Sequence, residues 1–192
     1  MLRVSMAITL LAMGLIFSVT FADDHSEDKM DSMEDMEMGA PPQMKELAYL
    51  EGDWNAEMEW IDMQDPNKWN KSKGSGTYNY VLDGCAIECH FQSEMMGMPF
   101  TGYMIISYDR DTGQWQQMWI DTIGGKMSFY KGKKADGKTI LMGEETWYGK
   151  TFITRTVVFD ETDTSFNWEM DQSSDGGKTW VPMGKAVYKK KM

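Results

Sequence analysis

The stretch Leu47-Ala48-Tyr49-Leu50-Glu51-Gly52-Asp53-Trp54 decides the fold. Upstream of its glycine, apolar residues at 44, 47, 48 and 50 share one side of a short helix. Downstream, Trp54, Ala56, Met58 and Trp60 alternate with Asn55, Glu57 and Glu59, the period of a strand with one buried and one solvated face. Gly52 is the corner, where the missing Cβ relieves the backbone, and Trp54 is the first large side chain turned inward.

Outward from this corner, strand patterns of about eight to twelve residues recur, separated by turn signals. The signals are Asp65-Pro66-Asn67, Asp83-Gly84, Gly97-Met98-Pro99, residues 109–113, Gly124-Gly125, Ala135-Asp136-Gly137, Tyr148-Gly149-Lys150, residues 160–163 and residues 174–177. They predict about ten antiparallel strands in up-and-down order. No helix-period run of useful length separates them, which excludes a parallel α/β arrangement. A meander this long hides its edges by closing, so the expected fold is all-β, a barrel over residues 44–192 with one short N-terminal helix.

The Gly-x-Trp opening after a short helix resembles the lipocalin and fatty-acid-binding (calycin) barrels. Leu50-Glu51-Gly52-Asp53-Trp54, Leu82-Asp83-Gly84, Met96-Gly97-Met98-Pro99-Phe100-Thr101-Gly102, Tyr108-Asp109 and Trp119-Ile120-Asp121 follow one another as in the bacterial domain-of-unknown-function family fifteen seventy-nine. The resemblance covers residues 44–189 and implies a calycin-like fold rather than an activity. It also implies that Trp54 sits at the closed end of the barrel under a cationic side chain from a late strand. Arg155 is the first candidate for that partner and Lys185 the second.

Before the barrel, the 192-residue chain opens like an exported protein. Arg3 precedes an almost wholly apolar run over residues 4–19, and Thr20-Phe21-Ala22 offers small residues to a signal peptidase. Residues 1–22 are therefore expected to be a leader, and the protein to be periplasmic or secreted. The run is short for a membrane span, so no stable insertion is expected after cleavage. Residues 23–43 are dense in Asp, Glu and Met and end in Ala40-Pro41-Pro42, a composition expected to stay disordered. The net charge of −11 disfavours nucleic acid. Lys189-Lys190-Lys191 reads as a solvated tail.

Cys85 and Cys89 lie on what reads as one strand, about 13 Å apart, too far for a disulfide. Both are expected inside as small hydrophobes, with His90 on the outer face, which excludes a Cys-Cys-His metal site. Residues 109–113 begin like a calcium loop but place Ile120 where a bidentate Glu is required, so a hairpin turn is expected. Ser173-Ser174-Asp175-Gly176-Gly177-Lys178-Thr179-Trp180 matches the Asp-box pattern, a brace for a hairpin. The only histidines are His25 and His90, which starves a Ser-His-Asp or Cys-His constellation and leaves haem without an axial ligand. Among carboxylates, Glu144-Glu145 and Glu57/Glu59 are the visible candidates for a hydrolase, and exposed acids are mostly solvating.

The interior is the stronger signal. Trp54, Met58, Trp60, Tyr78, Tyr80, Tyr103, Trp115, Trp119, Phe129, Phe152, Phe166, Trp168 and Trp180 fall on same-face alternations, with methionines between them. Such side chains line adaptable apolar pockets, and ten strands enclose more room than eight. The expected function is non-catalytic binding of a small apolar or amphipathic molecule, with no cofactor. An alternative is copper capture. Cleavage after Ala22 leaves Asp23-Asp24-His25, whose amine, amides and imidazole form a square-planar set for Cu(II). Met30, Met33, Met36 and Met38 add thioethers for Cu(I).

Overall fold

The computed structural model describes residues 38–62, 64–95 and 97–192. The expected leader (1–22), the candidate copper ligands Asp23, Asp24, His25, Met30, Met33 and Met36, and most of the acidic segment lie outside the described residues. Met38, at their edge, is exposed.

A 3₁₀ helix, Pro42–Leu50, leads into ten strands. These are β1 (Gly52–Ile61), β2 (Trp69–Val81), β3 (Ala86–Met95), β4 (Met98–Asp109), β5 (Gln114–Asp121), β6 (Ser128–Ala135), β7 (Lys138–Trp147), β8 (Lys150–Phe159), β9 (Ser165–Ser173) and β10 (Val181–Lys190). Each pairs antiparallel with its neighbours in sequence, and β1 closes the barrel against β10. Every expected turn is present. The two-residue turns Asp136-Gly137 and Tyr148-Gly149 have φ of 53°, 72°, 49° and 76°, the left-handed pairs whose twist matches that of the flanking strands. The helix starts at Pro42 rather than Met44, proline being suited to a first helical position.

Register sets the inward row. Trp54, Ala56, Met58 and Trp60 of β1 face the interior, as the alternation predicts, and Glu57 faces out. Glycines on the inward row make space for rings. A Cβ on Gly102 would lie 2.2 Å from the Trp119 ring, and one on Gly184 would lie 2.5 Å from the ring of Trp60, its cross-strand partner. The tryptophans lie over bare backbone, so a side chain at either glycine would displace them.

The helix closes one end of the barrel. Met44, Leu47 and Leu50 are buried, the Trp54 Nε1 donates to the Leu50 carbonyl at 2.7 Å, and Tyr80 Oη donates to the Met44 carbonyl at 2.7 Å. Trp54 is fully buried, edge-on to Phe166 at 4.9 Å, and Phe166 stacks on Tyr188 at 4.3 Å. The cation over Trp54 is Lys190, its Nζ 5.5 Å from the ring centroid and donating to the Tyr49 carbonyl at 3.1 Å. That corrects two expectations. Arg155 faces outward, bonding Asp171 at 2.7 Å and lying over Trp180, while Lys185 pairs with Glu59 at 2.9 Å. Lys190 belongs to β10 rather than to a solvated tail, because Lys191 N still donates to Asp53 O and holds the strand against β1.

Cys85 and Cys89 are both free thiols, and His90 is outside, as expected. Cys85, however, is not on the strand. It ends a 3₁₀ turn, Leu82–Gly84, in which Leu82, Asp83 and Gly84 all have positive φ, and it is half-buried. The strand begins one residue later, at Ala86, and the buried row Ile87, Cys89 and Phe91 alternates from Ile87 onward.

Candidate functional site

Above the plug formed by the helix and Trp54, the barrel encloses a cavity of about 340 Å³. Its wall has two chemically different halves. From β1, β3 and β4 come Met58, Trp60, Phe91, Met95, Phe100, Met104 and Ile106. From β5 to β9 come Gln117, Asp121, Ser128, Tyr130, Thr139, Glu145, Thr156 and Gln172, interleaved with Trp119, Leu141, Trp147 and Trp168.

The polar half is centred on Glu145. Its side chain points inward from β7, 8% exposed. Tyr130 Oη donates to its Oε1 at 2.5 Å; Thr154 Oγ1 and Trp147 Nε1 donate to Oε2 at 2.9 and 3.3 Å. Gln172 Nε2 donates in turn to Thr154 Oγ1 at 3.3 Å. Burial pushes the Glu145 carboxyl up, but the bonds from Tyr130, Ser128, Thr154 and Trp147 outweigh it and hold the group below its ordinary value. The carboxylate is thus a buried anion stabilised by neutral donors. Burial, then the bond to Glu145, raise Tyr130, which stays a phenol.

At the mouth, Asp121 accepts from Trp119 Nε1 at 2.8 Å and from the amides of Ile123 and Gly124 at 2.9 and 2.6 Å, shaping the loop between β5 and β6. Lys126 from that loop lies 4.3 Å over the Trp147 ring and donates to the Thr146 carbonyl. Glu161, deeper in the wall, pairs with Lys134 at 2.5 Å. On the apolar half, the Trp60 Nε1 is buried with no acceptor among the described residues. Burial pushes the Cys89 thiol on the wall up to about 12, which makes it inert as a nucleophile.

Of the residues expected to line a ligand cavity, Met58, Trp60, Tyr78, Trp119 and Trp168 are on its wall, together with Phe166. Trp54 belongs to the plug, Tyr80 is tied to the helix, and Trp115 packs edge-on against Tyr108 at 5.0 Å, away from the cavity. Phe152 pairs across the strand with Glu145 but does not reach the cavity wall. Tyr103 and Phe129 face outward. Tyr103 bonds Glu88 at 2.8 Å and meets His90 edge-on, while Phe129 is 64% exposed. In both places the sequence is apolar on consecutive positions, Tyr103-Met104-Ile105-Ile106 and Phe129-Tyr130, so alternation does not reveal which residue faces in. The inward residues are Met104 and Tyr130, each missed by the sequence reading. Trp180 lies over Arg155 outside the barrel and closes the brace in which Asp175 accepts from Thr179 and Lys178 amides.

Of the four carboxylates named as hydrolase candidates, only Glu145 lies on the cavity wall, and Glu57 and Glu59 share the outer face of β1. Glu144 and Glu145 alternate, and Glu59 is held outside by Lys71 and Lys185 at 3.5 and 2.9 Å. A second recess of about 490 Å³ runs over this outer wall, between paired charges that remain in water. Among the described residues, no group of three or more His, Cys, Asp or Glu is placed to hold a metal ion. No described helix is long and apolar enough to cross a membrane.

Solved structures share the fold. Rv2717c from M. tuberculosis superposes with a TM-score of 0.58 at 11% identity, over 80% of this chain and 99% of its own. The S-type phycobiliprotein lyase CPES from Guillardia theta superposes with a TM-score of 0.52 at 9% identity, over 77% and 92%. No curated protein matches the chain. Residues 41–190, the whole barrel with its helix, match the family described as Protein of unknown function (DUF1579), and to that family the chain belongs.

Proposed function

We propose that the barrel takes up a small amphipathic molecule and holds it without chemical change. One observation carries this reading: the cavity of about 340 Å³ has an apolar, methionine-rich half facing a half built from hydroxyls, carboxamides and a buried carboxylate. Methionines adapt to an apolar body, and a few fixed polar groups orient a ligand's head. The Trp60 indole N–H, buried without an acceptor, offers a further contact to a ligand oxygen. The fold shared with a phycobiliprotein lyase is in keeping with a barrel that handles another molecule. The leader-like residues 1–22 support export to the periplasm or beyond.

The test is titration with a neutral fluorescent probe, N-phenyl-1-naphthylamine. It should brighten on the folded protein and quench tryptophan emission. Thr156→Phe, which adds a ring on the cavity wall, should abolish the response while circular dichroism stays unchanged. A probe response that survives Thr156→Phe at full strength would place binding elsewhere and remove this reading.

A further inference from the structure

The Glu145 carboxylate is more than nine-tenths buried, lies on the cavity wall, and forms no ion pair among the described residues. Its neighbours on every side donate hydrogen bonds but carry no charge: Tyr130 from β6, Thr154 from β8, and Trp147 from its own strand. Neutral donors spread the charge without cancelling it, and an ion out of water with no counter-ion is costly. The rest of the wall adds to the same sign. Asp121 and Glu161 also face the cavity, and Glu161 is neutralised by Lys134. The one lysine on the wall, Lys126, is held at the mouth by the Thr146 carbonyl and the Trp147 ring.

The opposite head group is badly served. The chain has three arginines, of which Arg3 lies outside the described residues, Arg155 faces out to Asp171, and Arg110 is on the turn between β4 and β5, bonded to the Gly39 carbonyl. None lines the cavity. A ligand carboxylate would therefore enter a wall that carries three carboxylates and, of cations, only Lys126, which is already held at the mouth.

We propose that the ligand is a cationic amphiphile: a protonated amine or amidine-type head is received at Glu145, and its apolar body lies along Met58, Phe91, Phe100 and Met104. This rests on the binding function proposed above and adds the charge of the head. The head completes an ion pair in a site already desolvated and rigidly bonded, so little is lost in reorganising the carboxylate. Asp121 at the mouth gives the field that draws the cation inward.

The experiment uses three ligands with one ten-carbon body, decylamine, decanol and decanoate, each displacing N-phenyl-1-naphthylamine from the full-length mature protein at pH 7. Decylamine should bind on the order of tenfold to a hundredfold tighter than decanol, as a charged hydrogen bond in a buried site does, and decanoate should bind weakest. Glu145→Gln should collapse the amine-over-alcohol ratio to about twofold, while Glu57→Gln on the outer wall should keep it. Equal affinities across the wild-type series, or decanoate the tightest, would overturn the proposal while leaving amphiphile binding in place. Uptake of neither the probe nor any of the three would instead defeat the binding function itself. The wild-type series decides the matter even where Glu145→Gln does not fold.

Discussion

The two ends of the barrel are built from the same strands and do opposite things. At the helix end, three polar groups tie the plug shut: Trp54 Nε1 donates to Leu50, Tyr80 Oη to Met44 and Lys190 Nζ to Tyr49. Towards the other end, polar side chains accumulate inside, and the turns expose Met98, Ile123, Met127, Tyr148 and Val181. Packed aromatics at one end leave no room, and half-filled polar rows at the other leave a cavity. The difference teaches that inward aromatic residues alone do not mark a ligand site. Trp54 and Trp60 are six residues apart on one face of β1, and only Trp60 borders empty space.

The largest effect should come from breaking the plug. Trp54→Ala removes a fully buried ring bonded to the helix and should cost about 3 to 5 kcal/mol in urea unfolding. Trp60→Ala, at a half-buried ring beside existing space, should cost less and should increase the size of probe the cavity accepts. Equal costs would mean that the two ends are not differently packed.

A smaller effect should follow from Tyr130→Phe, which deletes one donor to Glu145 and, with the same hydroxyl, the bond to Ser128. Loss of a hydrogen bond to a buried charge should cost about 1 to 3 kcal/mol in thermal or urea unfolding at pH 7. The sign with pH is fixed. Glu145 is held below its ordinary value in the folded chain, so its stabilisation is present above that value and fades as pH falls through the folded one. In Tyr130→Phe the carboxyl should titrate higher, seen by NMR of the side chain. An unmoved titration would show that Tyr130 does not hold the anion.

The closed end was the more legible of the two, for physical reasons. Its signals are local: a short apolar helix, a corner glycine, and a strand whose polar residues alternate cleanly with Trp54, Ala56 and Met58. The turns were equally readable, since Asp136-Gly137 and the Asp175 loop use side chains that favour those backbones. The cavity was half legible. Its apolar wall shows in the aromatic rows, but of Glu144-Glu145, a candidate pair of acids in the sequence, only one can face inward, and most acids on a strand are merely solvating. The inward parity of Glu145 follows from Leu141 and Trp147 on the same row, which register makes plain and composition does not. The cation over Trp54 was missed because it lies next to the chain's end, where three consecutive lysines look alike until β10 is paired with β1.

Lys190→Met sharpens that last point. The change keeps an aliphatic chain at the spot but deletes the ammonium over Trp54 and its bond to the Tyr49 carbonyl. A loss of about 1 kcal/mol in urea unfolding is expected, with no change in probe affinity, because Lys190 is not on the cavity wall. The same change at Lys189, exposed on the outer row, should be silent.

The smallest expected effect lies at the open end, in the brace between β9 and β10. Asp175 accepts from the amides of Thr179 and Lys178 and from the Thr179 hydroxyl, and these bonds lower its carboxyl from 3.8 to about 2. A folded value below the unfolded one means that the bonds contribute fully above about pH 4 and are lost as pH falls towards about 2. The Asp175 side chain is exposed, so the consequence is local rather than global. The amide shifts of Lys178 and Thr179, followed by NMR in acid, should titrate together with a midpoint at about 2. In Asp175→Asn that titration should vanish, since the amide side chain does not ionise: its one oxygen can still accept from the Lys178 and Thr179 amides, but its NH2 cannot accept from the Thr179 hydroxyl. The Trp54 indole N–H, at the far end, should not follow it. A midpoint near 3.8 would mean the brace is open in solution. A Trp54 signal moving in step would mean that the two ends of the barrel are coupled, against the independence that their separate packing implies.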